Sequence, residues 1–145
     1  MTEIISNSPD ETLEIGKKIA AHLCPGSVAA LSGALGSGKT KLSNGIALGL
    51  GISENLTSPT YTIINEYENM NKESSVLYHI DVYRLNNETE FEDIGGRDIL
   101  NSNGISIIEW SERIKELLPK DAITVSIKIT GAESRLIKIE GIESL

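Results

Sequence analysis

The sequence of 145 residues predicts one α/β domain across residues 1–145, with a mixed central sheet and helices on both faces. Two observations predict this class. The apolar run at residues 28–31 suits a buried strand, and it is followed by a glycine-rich stretch and then by apolar residues at helical spacing. Further along, the β-rich segments 61–67 and 76–81 flank a short polar turn, which predicts an antiparallel hairpin inserted in the sheet.

The first helix is predicted from the signals at its two ends. Ser8 can cap it, Pro9 suits the first helical position, and Glu11 completes a capping box. A Pro-Gly pair at residues 25–26 stops the helix. We therefore expect this helix to lead directly into the first strand.

The remaining elements are predicted from apolar runs and the breakers between them. The helix after the glycine-rich stretch ends near Gly49 and Gly51. The later elements are, in order, an acidic helix at residues 88–93 interrupted by Gly95 and Gly96, a strand at 105–108, a short helix at 111–118, and an antiparallel pair of strands at 123–129 and 136–139.

Residues 33–40 match the pattern G-x-x-x-x-G-K-[ST], a phosphate-binding loop in which each position has a mechanical role. Its glycines let the backbone take unusual φ and ψ angles, so that successive N–H groups can point at phosphate oxygens. The lysine would reach the β- and γ-phosphates, and the threonine hydroxyl would ligate magnesium. The alternative is a strand–helix turn that binds nothing. The residues predicted to bind the nucleotide here are Gly33, Gly36, Ser37, Gly38, Lys39, Thr40 and Lys41.

Two acids follow buried strands, at the edge of the sheet where ligands of such folds lie. They are Asp81 and Glu109. A phosphate loop needs a metal ion and a group that organises the attacking water. We therefore predict Asp81, Glu109 and Lys39 as catalytic residues, and Thr40, Asp81 and Glu109 as the metal site. Direct ligation and contact through water both stay open, and solvated strand-end carboxylates are the alternative.

Three hydroxyl residues, Thr57, Ser58 and Thr60, lie between the loop helix and the hairpin. In many nucleotide switches this connection senses the γ-phosphate, so we predict a switch loop, with an ordinary turn as the alternative. Trp110 can stack on a base or a partner, or pack at the base of the sheet. For His79 we predict a structural hydrogen bond.

Composition limits the partners. The formal net charge is −8 and there are four arginines, which disfavours autonomous nucleic-acid binding because that affinity comes mainly from Lys and Arg. Cys24 is the only cysteine, so an internal disulfide is excluded. No apolar stretch approaches the length of a membrane span. We expect a cytoplasmic protein that does not associate with membranes.

Further motifs surround the phosphate loop. The chain carries S-P-D-E-T at residues 8–12, S-P-T-Y-T at 58–62, H-I-D-V-Y-R-L at 79–85 and E-W-S-E-R at 109–113. Together with the loop at 33–40 they run over nearly the whole chain. The sequence therefore resembles the TsaE family, also called YjeE, which comprises small bacterial ATPases required for threonylcarbamoyladenosine modification of tRNA.

The resemblance implies a P-loop NTPase-like domain with ATP and Mg²⁺ as cofactors and hydrolysis that is weak in isolation. It also implies a complex with TsaD and TsaB homologues, in which TsaD performs the transfer chemistry and tRNA is met only indirectly. Asp81 and Glu109 match acids around the magnesium site. Thr12 matches a region close to the base, and Trp110 matches a tryptophan that borders the nucleotide.

The loop departs from the family pattern at two positions. Ala34 stands where the family usually carries Asp, and Lys41 stands where a second hydroxyl is common. If that Asp helps to position water or magnesium, hydrolysis here is slower or organised differently. Lys41 either adds charge near the α-phosphate or points to solvent. Neither departure removes a group that the phosphate cradle requires.

Three other function classes are alternatives to this one. A small-molecule kinase needs basic residues to clamp the transferred group, and four arginines without a basic lid segment disfavour it. A GTPase of the N-K-x-D type is excluded because residues 71–74 read N-K-E-S. A nucleotide-responsive binding module with negligible hydrolysis stays open because of Ala34.

Overall fold

The computed structural model describes residues 1–56, 64–68 and 76–145. These residues form a seven-stranded sheet with helices packed against it. The elements are β1 (Thr2–Ser6), α1 (Pro9–Ala20), β2 (Val28–Gly33), α2 (Lys39–Gly49), β3 (Ile64–Glu68), β4 (Val76–Asp81), α3 (Glu88–Asp93), α4 (Gly96–Leu100), β5 (Ile105–Glu109), a 3₁₀ helix (Ser111–Leu117), β6 (Ile123–Ile129) and β7 (Arg135–Glu140).

The sheet is mixed, as predicted, in the strand order β1-β7-β6-β2-β5-β4-β3. β2 runs parallel to both β5 and β6, and β4 runs parallel to β5. β3 pairs antiparallel with β4, which confirms the inserted hairpin within the described strands. β6, β7 and β1 form an antiparallel group on the other side.

Both faces of the sheet carry a hydrophobic core. Ile107 belongs to the core under α1 and α2, whereas its neighbour Ile108 belongs to the core under α3, α4 and the 3₁₀ helix. Successive side chains of a strand point to opposite faces, so a strand covered on both sides reads as one continuous apolar run. All five residues of β5 are buried. The prediction of helices on both faces is therefore confirmed.

Two elements were not predicted. The sequence suggests no element before Ser8, yet Thr2–Ser6 forms an edge strand whose partner, β7, lies at the far end of the chain. The acidic helix Glu88–Asp93 ends before the two glycines, as predicted, but a second helix, α4, begins at Gly96, with Gly95 at φ 85° directly before it. The predicted helix at 111–118 is a 3₁₀ helix that ends at Leu117.

The predicted start of α1 is confirmed. The Ser8 hydroxyl accepts a hydrogen bond from the Glu11 backbone N–H at 3.1 Å, and Pro9 occupies the first helical turn. The Glu11 carboxylate accepts from the backbone N–H of Asn7 at 2.6 Å, one residue before the cap. These bonds satisfy donors that a helix start otherwise leaves unpaired.

Helices α1 and α2 pack backbone against backbone. A Cβ atom added to Gly16 would lie 2.5 Å from the Leu42 carbonyl oxygen and 2.9 Å from the Gly45 Cα. These neighbours are backbone atoms, which cannot rotate away as the end of a flexible side chain can. The small residues of α1 therefore determine how closely α2 approaches α1. The same contact determines where α2 starts relative to α1.

We expect Gly16→Ala to destabilise the fold by about 1–3 kcal/mol, since overpacking at a rigid contact outweighs the gain in helix propensity of about 1 kcal/mol. The free energy of unfolding in denaturant measures this. Lys18→Ala, at an exposed position of the same helix, is the matched control. A Gly16→Ala variant as stable as the control would contradict the close packing.

Candidate nucleotide-binding site

The site forms where parallel strands end. Leu31 and Asp81 each pair with Glu109 in the register of the sheet, so β2, β4 and β5 end at one edge. The glycine-rich loop leaves β2 at this edge and leads into α2. The predicted loop and both predicted acids are thereby brought together by strand pairing.

The loop adopts the backbone that its glycines permit. Gly36 and Gly38 have φ of 78° and 107°, a region that L side chains rarely occupy. Gly38 precedes α2 directly, and no described side chain caps the helix there. The first turn of α2 carries no acid either. In the described residues the start of α2 therefore carries neither a capping side chain nor an acid, and the positive end of a helix attracts anions.

Lys39 is held at the mouth of the loop. Its ammonium donates hydrogen bonds to the carbonyls of Gly33 at 2.6 Å and Ala34 at 3.0 Å. The residue is 4% exposed, and burial lowers the pKa of its ammonium. The carboxylates of Glu109, Glu112 and Asp81 oppose that shift by favouring the charged form.

Trp110 lies over the ammonium of Lys39 and also packs against the hydrophobic core under α3, α4 and the 3₁₀ helix. The Lys39 Nζ atom is 3.9 Å from the centre of the Trp110 ring, the geometry of a cation–π contact. Trp110 has a positive φ of 63°, and its ring lies 4.6 Å from that of Tyr83. Arg113 approaches the Tyr83 ring in turn, at 5.1 Å. Tyr83 falls within the motif H-I-D-V-Y-R-L, but no role was predicted for it.

Glu109 is a buried carboxylate within the site, at 2% exposed. The Thr40 hydroxyl donates to its Oε1 at 3.1 Å and the Ser43 hydroxyl donates to its Oε2 at 3.3 Å. The Nε2 atom of His79 contacts Oε2 as well, which confirms the structural hydrogen bond predicted for this residue. Ser43 was missed, although its spacing from Thr40 puts both hydroxyls on one helix face.

Asp81 is half-buried beside this group. Its Oδ1 accepts a hydrogen bond from the Tyr83 backbone N–H at 2.9 Å. Burial raises the pKa of the Asp81 carboxyl above its usual 3.8, and the Tyr83 hydrogen bond partly opposes this. A half-buried carboxylate with few donors is less stabilised than Glu109 and more available to a ligand or a water.

The donor set suits a hard cation. Thr40 and Glu109 present adjacent oxygen atoms, and Asp81 lies at the same sheet edge. No group of three or more His, Cys, Asp or Glu side chains that could hold a metal occurs in residues 1–56, 64–68 and 76–145. Mg²⁺ needs none, because it is usually held by one or two carboxylates with phosphates and waters completing the octahedron.

A cavity of about 310 Å³ opens on the outer side of the loop. Thr12 lines it, and its methyl group lies 3.8 Å from where a Cβ on Gly38 would stand. The Thr12 hydroxyl is hydrogen-bonded to that of Ser6 at 2.7 Å. Lys41 also lines this cavity. The full lining is Pro9, Thr12, Gly36, Ser37, Gly38, Lys41, Ala132, Glu133 and Arg135.

The predicted switch residues Thr57, Ser58 and Thr60 lie outside the described residues. Within the described part of the chain, no helix has both the length and the apolar composition needed to cross a membrane.

We expect His79→Leu to lower the free energy of unfolding by about 1–3 kcal/mol, because it leaves the buried Glu109 carboxylate short of a donor. In the double variant with Glu109→Gln part of this loss is recovered, giving a coupling energy of about 0.5–3 kcal/mol. Denaturant unfolding of the four proteins measures the cycle. His22→Leu, at an exposed histidine, is the control. Strictly additive effects would show that the two side chains do not interact.

We expect Asp81→Asn to stabilise the unliganded protein at neutral pH. The raised pKa means that the ionised carboxyl is disfavoured in the fold, so the native Asp81 loses stability as pH rises from the unfolded-state pKa through the folded-state pKa. Below both pKa values the two proteins should be equally stable. Melting temperatures across this range test it, with the exposed Asp98→Asn as control. A stabilisation that persists in acid would refute the assignment to burial.

Comparisons with known proteins agree on one family. A family model described as "Threonylcarbamoyl adenosine biosynthesis protein TsaE" matches residues 6–137. The tRNA threonylcarbamoyladenosine biosynthesis protein TsaE of Treponema pallidum is 39% identical over 135 residues, covering 93% of this chain and 97% of that protein. The protein of the same name from Bacillus subtilis is 43% identical over 128 residues, covering 88% of this chain and 78% of that one.

The fold agrees as well. A crystal structure of Bacillus subtilis YdiB superposes with a TM-score of 0.74 at 35% sequence identity, covering 95% of this chain and 83% of that one. The family model spans most of the chain and the relatives exceed a third in identity. This chain therefore belongs to the TsaE family of tRNA threonylcarbamoyladenosine biosynthesis proteins.

Proposed function

We propose that this chain is a single-domain P-loop ATPase that binds ATP with Mg²⁺ and hydrolyses it slowly, as the ATPase subunit of the tRNA threonylcarbamoyladenosine machinery. The observation that carries the proposal is the cluster at the start of α2. There the ammonium of Lys39, the hydroxyl of Thr40 and the buried carboxylate of Glu109 surround a helix end with uncapped N–H groups.

The loop and Lys39 supply the phosphate contacts in this proposal. The backbone N–H groups of Gly38 and Lys39, at the start of α2, would donate to phosphate oxygens. Lys39 would supply positive charge for the β- and γ-phosphates, and the carboxylates of Glu109, Glu112 and Asp81 favour its charged form, which burial disfavours.

Glu109 and Asp81 have different roles in this proposal. Thr40 and Glu109 would hold the magnesium ion, which when bound neutralises charge on the phosphate oxygens. Asp81 is half-buried and its Oδ1 accepts one backbone hydrogen bond, so it would orient the attacking water. His79 and Ser43 bond the other carboxylate oxygen of Glu109, Oε2, and would hold the carboxylate in place without contacting the nucleotide.

The nucleoside would occupy the cavity outside the loop. Thr12 and Lys41 line that cavity, so Lys41 would contact the ligand there and would not face solvent. Trp110 lies on the other side of the loop, over Lys39, and would border the phosphates.

The surface charge supports a partner-dependent role. A net charge of −8 gives poor affinity for a phosphate backbone, so tRNA is reached through partner proteins. The family name places relatives in threonylcarbamoyladenosine biosynthesis. We propose homologues of TsaD and TsaB as those partners and the cytoplasm as the compartment.

A second function is favoured by one specific observation. Three side chains already bond the Glu109 carboxylate, and Ala34 supplies no carboxylate to the loop. A site of this kind binds nucleotide and changes conformation with little turnover. In this version the chain is a nucleotide-responsive module of the same assembly.

We expect Lys39→Ala to weaken ATP binding by at least tenfold, because it removes a charge-assisted contact to the phosphates. Glu109→Ala should lower turnover by about a hundredfold while affecting affinity less, since its role is in the metal and water arrangement. Calorimetry with ATP and Mg²⁺ measures affinity, and phosphate release with and without TsaD and TsaB measures turnover.

The matched controls are Lys120→Ala and Glu116→Gln, both at exposed positions. Absence of magnesium-dependent ATP binding, even with the partners present, would rule out the proposed function. Binding without phosphate release under any condition would favour the nucleotide-responsive module. Stimulation by a small acceptor molecule in place of the partners would identify a kinase.

A further inference from the structure

Arg135, the first residue of β7, hydrogen-bonds to the outer side of the phosphate loop. Its Nε donates to the Ser37 carbonyl at 2.9 Å and its Nη2 donates to the Gly36 carbonyl at 3.2 Å. Its Nη1 donates to the carbonyls of Gly131 at 3.1 Å and Ser134 at 2.8 Å, in the turn of its own hairpin. One guanidinium therefore joins the loop to the β6–β7 turn.

The bond to Ser37 sets the direction of a phosphate-facing donor. The chain contains no cis peptide bond among the described residues, so the carbonyl of Ser37 and the N–H of Gly38 lie in one peptide plane and point in opposite directions. With the carbonyl turned outward to Arg135, the Gly38 N–H turns away from Arg135. Gly38 is the N-cap residue, directly before α2.

The loop's own sequence leaves that direction loosely determined. Gly36 and Gly38 flank Ser37, and glycine populates both signs of φ about equally, so the peptide planes between them can flip at low cost. The Ser37 backbone N–H donates to the Ala34 carbonyl at 3.0 Å, which restrains one plane only. Arg135 restrains the next one.

Arg135 is itself rigidly placed. In the sheet it pairs with Ser6 of β1 on one side and Ile129 of β6 on the other. No carboxylate in the described residues forms an ion pair with it, so its charge is not neutralised locally. That charge adds to the positive potential of the anion site.

We propose that Arg135 is a positioning residue of the phosphate site: it holds the Ser37 and Gly36 carbonyls outward, so that the Gly38 N–H faces the phosphates before the nucleotide arrives. The inference rests on the proposed function for the identity of the anion. It assigns the C-terminal hairpin, which carries no motif of the loop, a part in nucleotide affinity. In this proposal Arg135 acts on the loop backbone. Because it also lines the cavity assigned to the nucleoside, direct contact with the ligand is the alternative that the measurements distinguish.

The first measurement uses the unliganded full chain. The N–H residual dipolar coupling of Gly38 in aligned solution reports the direction of that bond. We expect Arg135→Ala to change or average this coupling while those of β2 stay as in the wild type. Arg135→Lys keeps the charge but lacks the planar fork, so it should change the coupling less.

The second measurement is affinity for ATP with Mg²⁺ and for inorganic pyrophosphate, by calorimetry. We expect Arg135→Ala to bind both about tenfold more weakly, since an oriented donor to a charged group is lost. Arg135→Lys should lie between it and the wild type. Lys138→Ala, on the same strand at an exposed ion pair with Glu3, should stay within about twofold of the wild type, as surface pairs contribute little.

Each outcome decides the matter. Weaker binding together with a changed Gly38 coupling supports the inference. If Arg135→Ala does not fold, the same two measurements on Arg135→Lys test it. Weaker binding with an unchanged coupling shows that Arg135 touches the anion directly, which overturns positioning. Unchanged binding overturns it too. If the wild type binds neither ligand, the proposed function fails, while the coupling in unliganded variants still decides whether Arg135 orients Gly38.

Discussion

The buried carboxylate of Glu109 is the constraint on which the arrangement of the site depends. At 2% exposed, it is stable only if donors replace the water it has lost. Those donors come from two other elements: Thr40 and Ser43 on α2, and His79 on β4. The cost of an unpaired charge therefore fixes how α2 is rotated against the end of the sheet.

The rest of the site follows from the position of α2. Once that helix is fixed, its uncapped first turn, Lys39 and the adjoining loop have one place relative to β4 and β5. The backbone contact at Gly16 fixes α2 from its other side, against α1. The carboxylates of Glu109, Glu112 and Asp81 favour the charged form of Lys39, which burial alone would disfavour. The buried Glu109 carboxylate thus contributes both to the stability of the fold and to the charged form of Lys39.

Local signals in the sequence were sufficient for much of the fold. The capping residues of α1, the strand–loop–helix order around residues 33–40 and the hairpin of β3 and β4 were all predicted, because each depends on neighbours within a few residues. β1 was missed since its partner is β7, and α4 was missed since the paired glycines read as an interruption. In the site, no role was predicted for Ser43, Tyr83 or Arg135, because each contacts residues distant in sequence.

The sequence by itself determined which chemical groups are available: a glycine loop with Lys39 and Thr40, and acids placed where buried strands end. Strand register is enough to bring those acids to one edge, so their proximity could be inferred from pattern alone. Only the tertiary structure decided which groups touch. The bonds of His79 to Glu109 and of Arg135 to the loop carbonyls span 30 and about 100 residues of chain. Contacts over such distances are set by the packing of whole elements, for which local periodicity carries no signal.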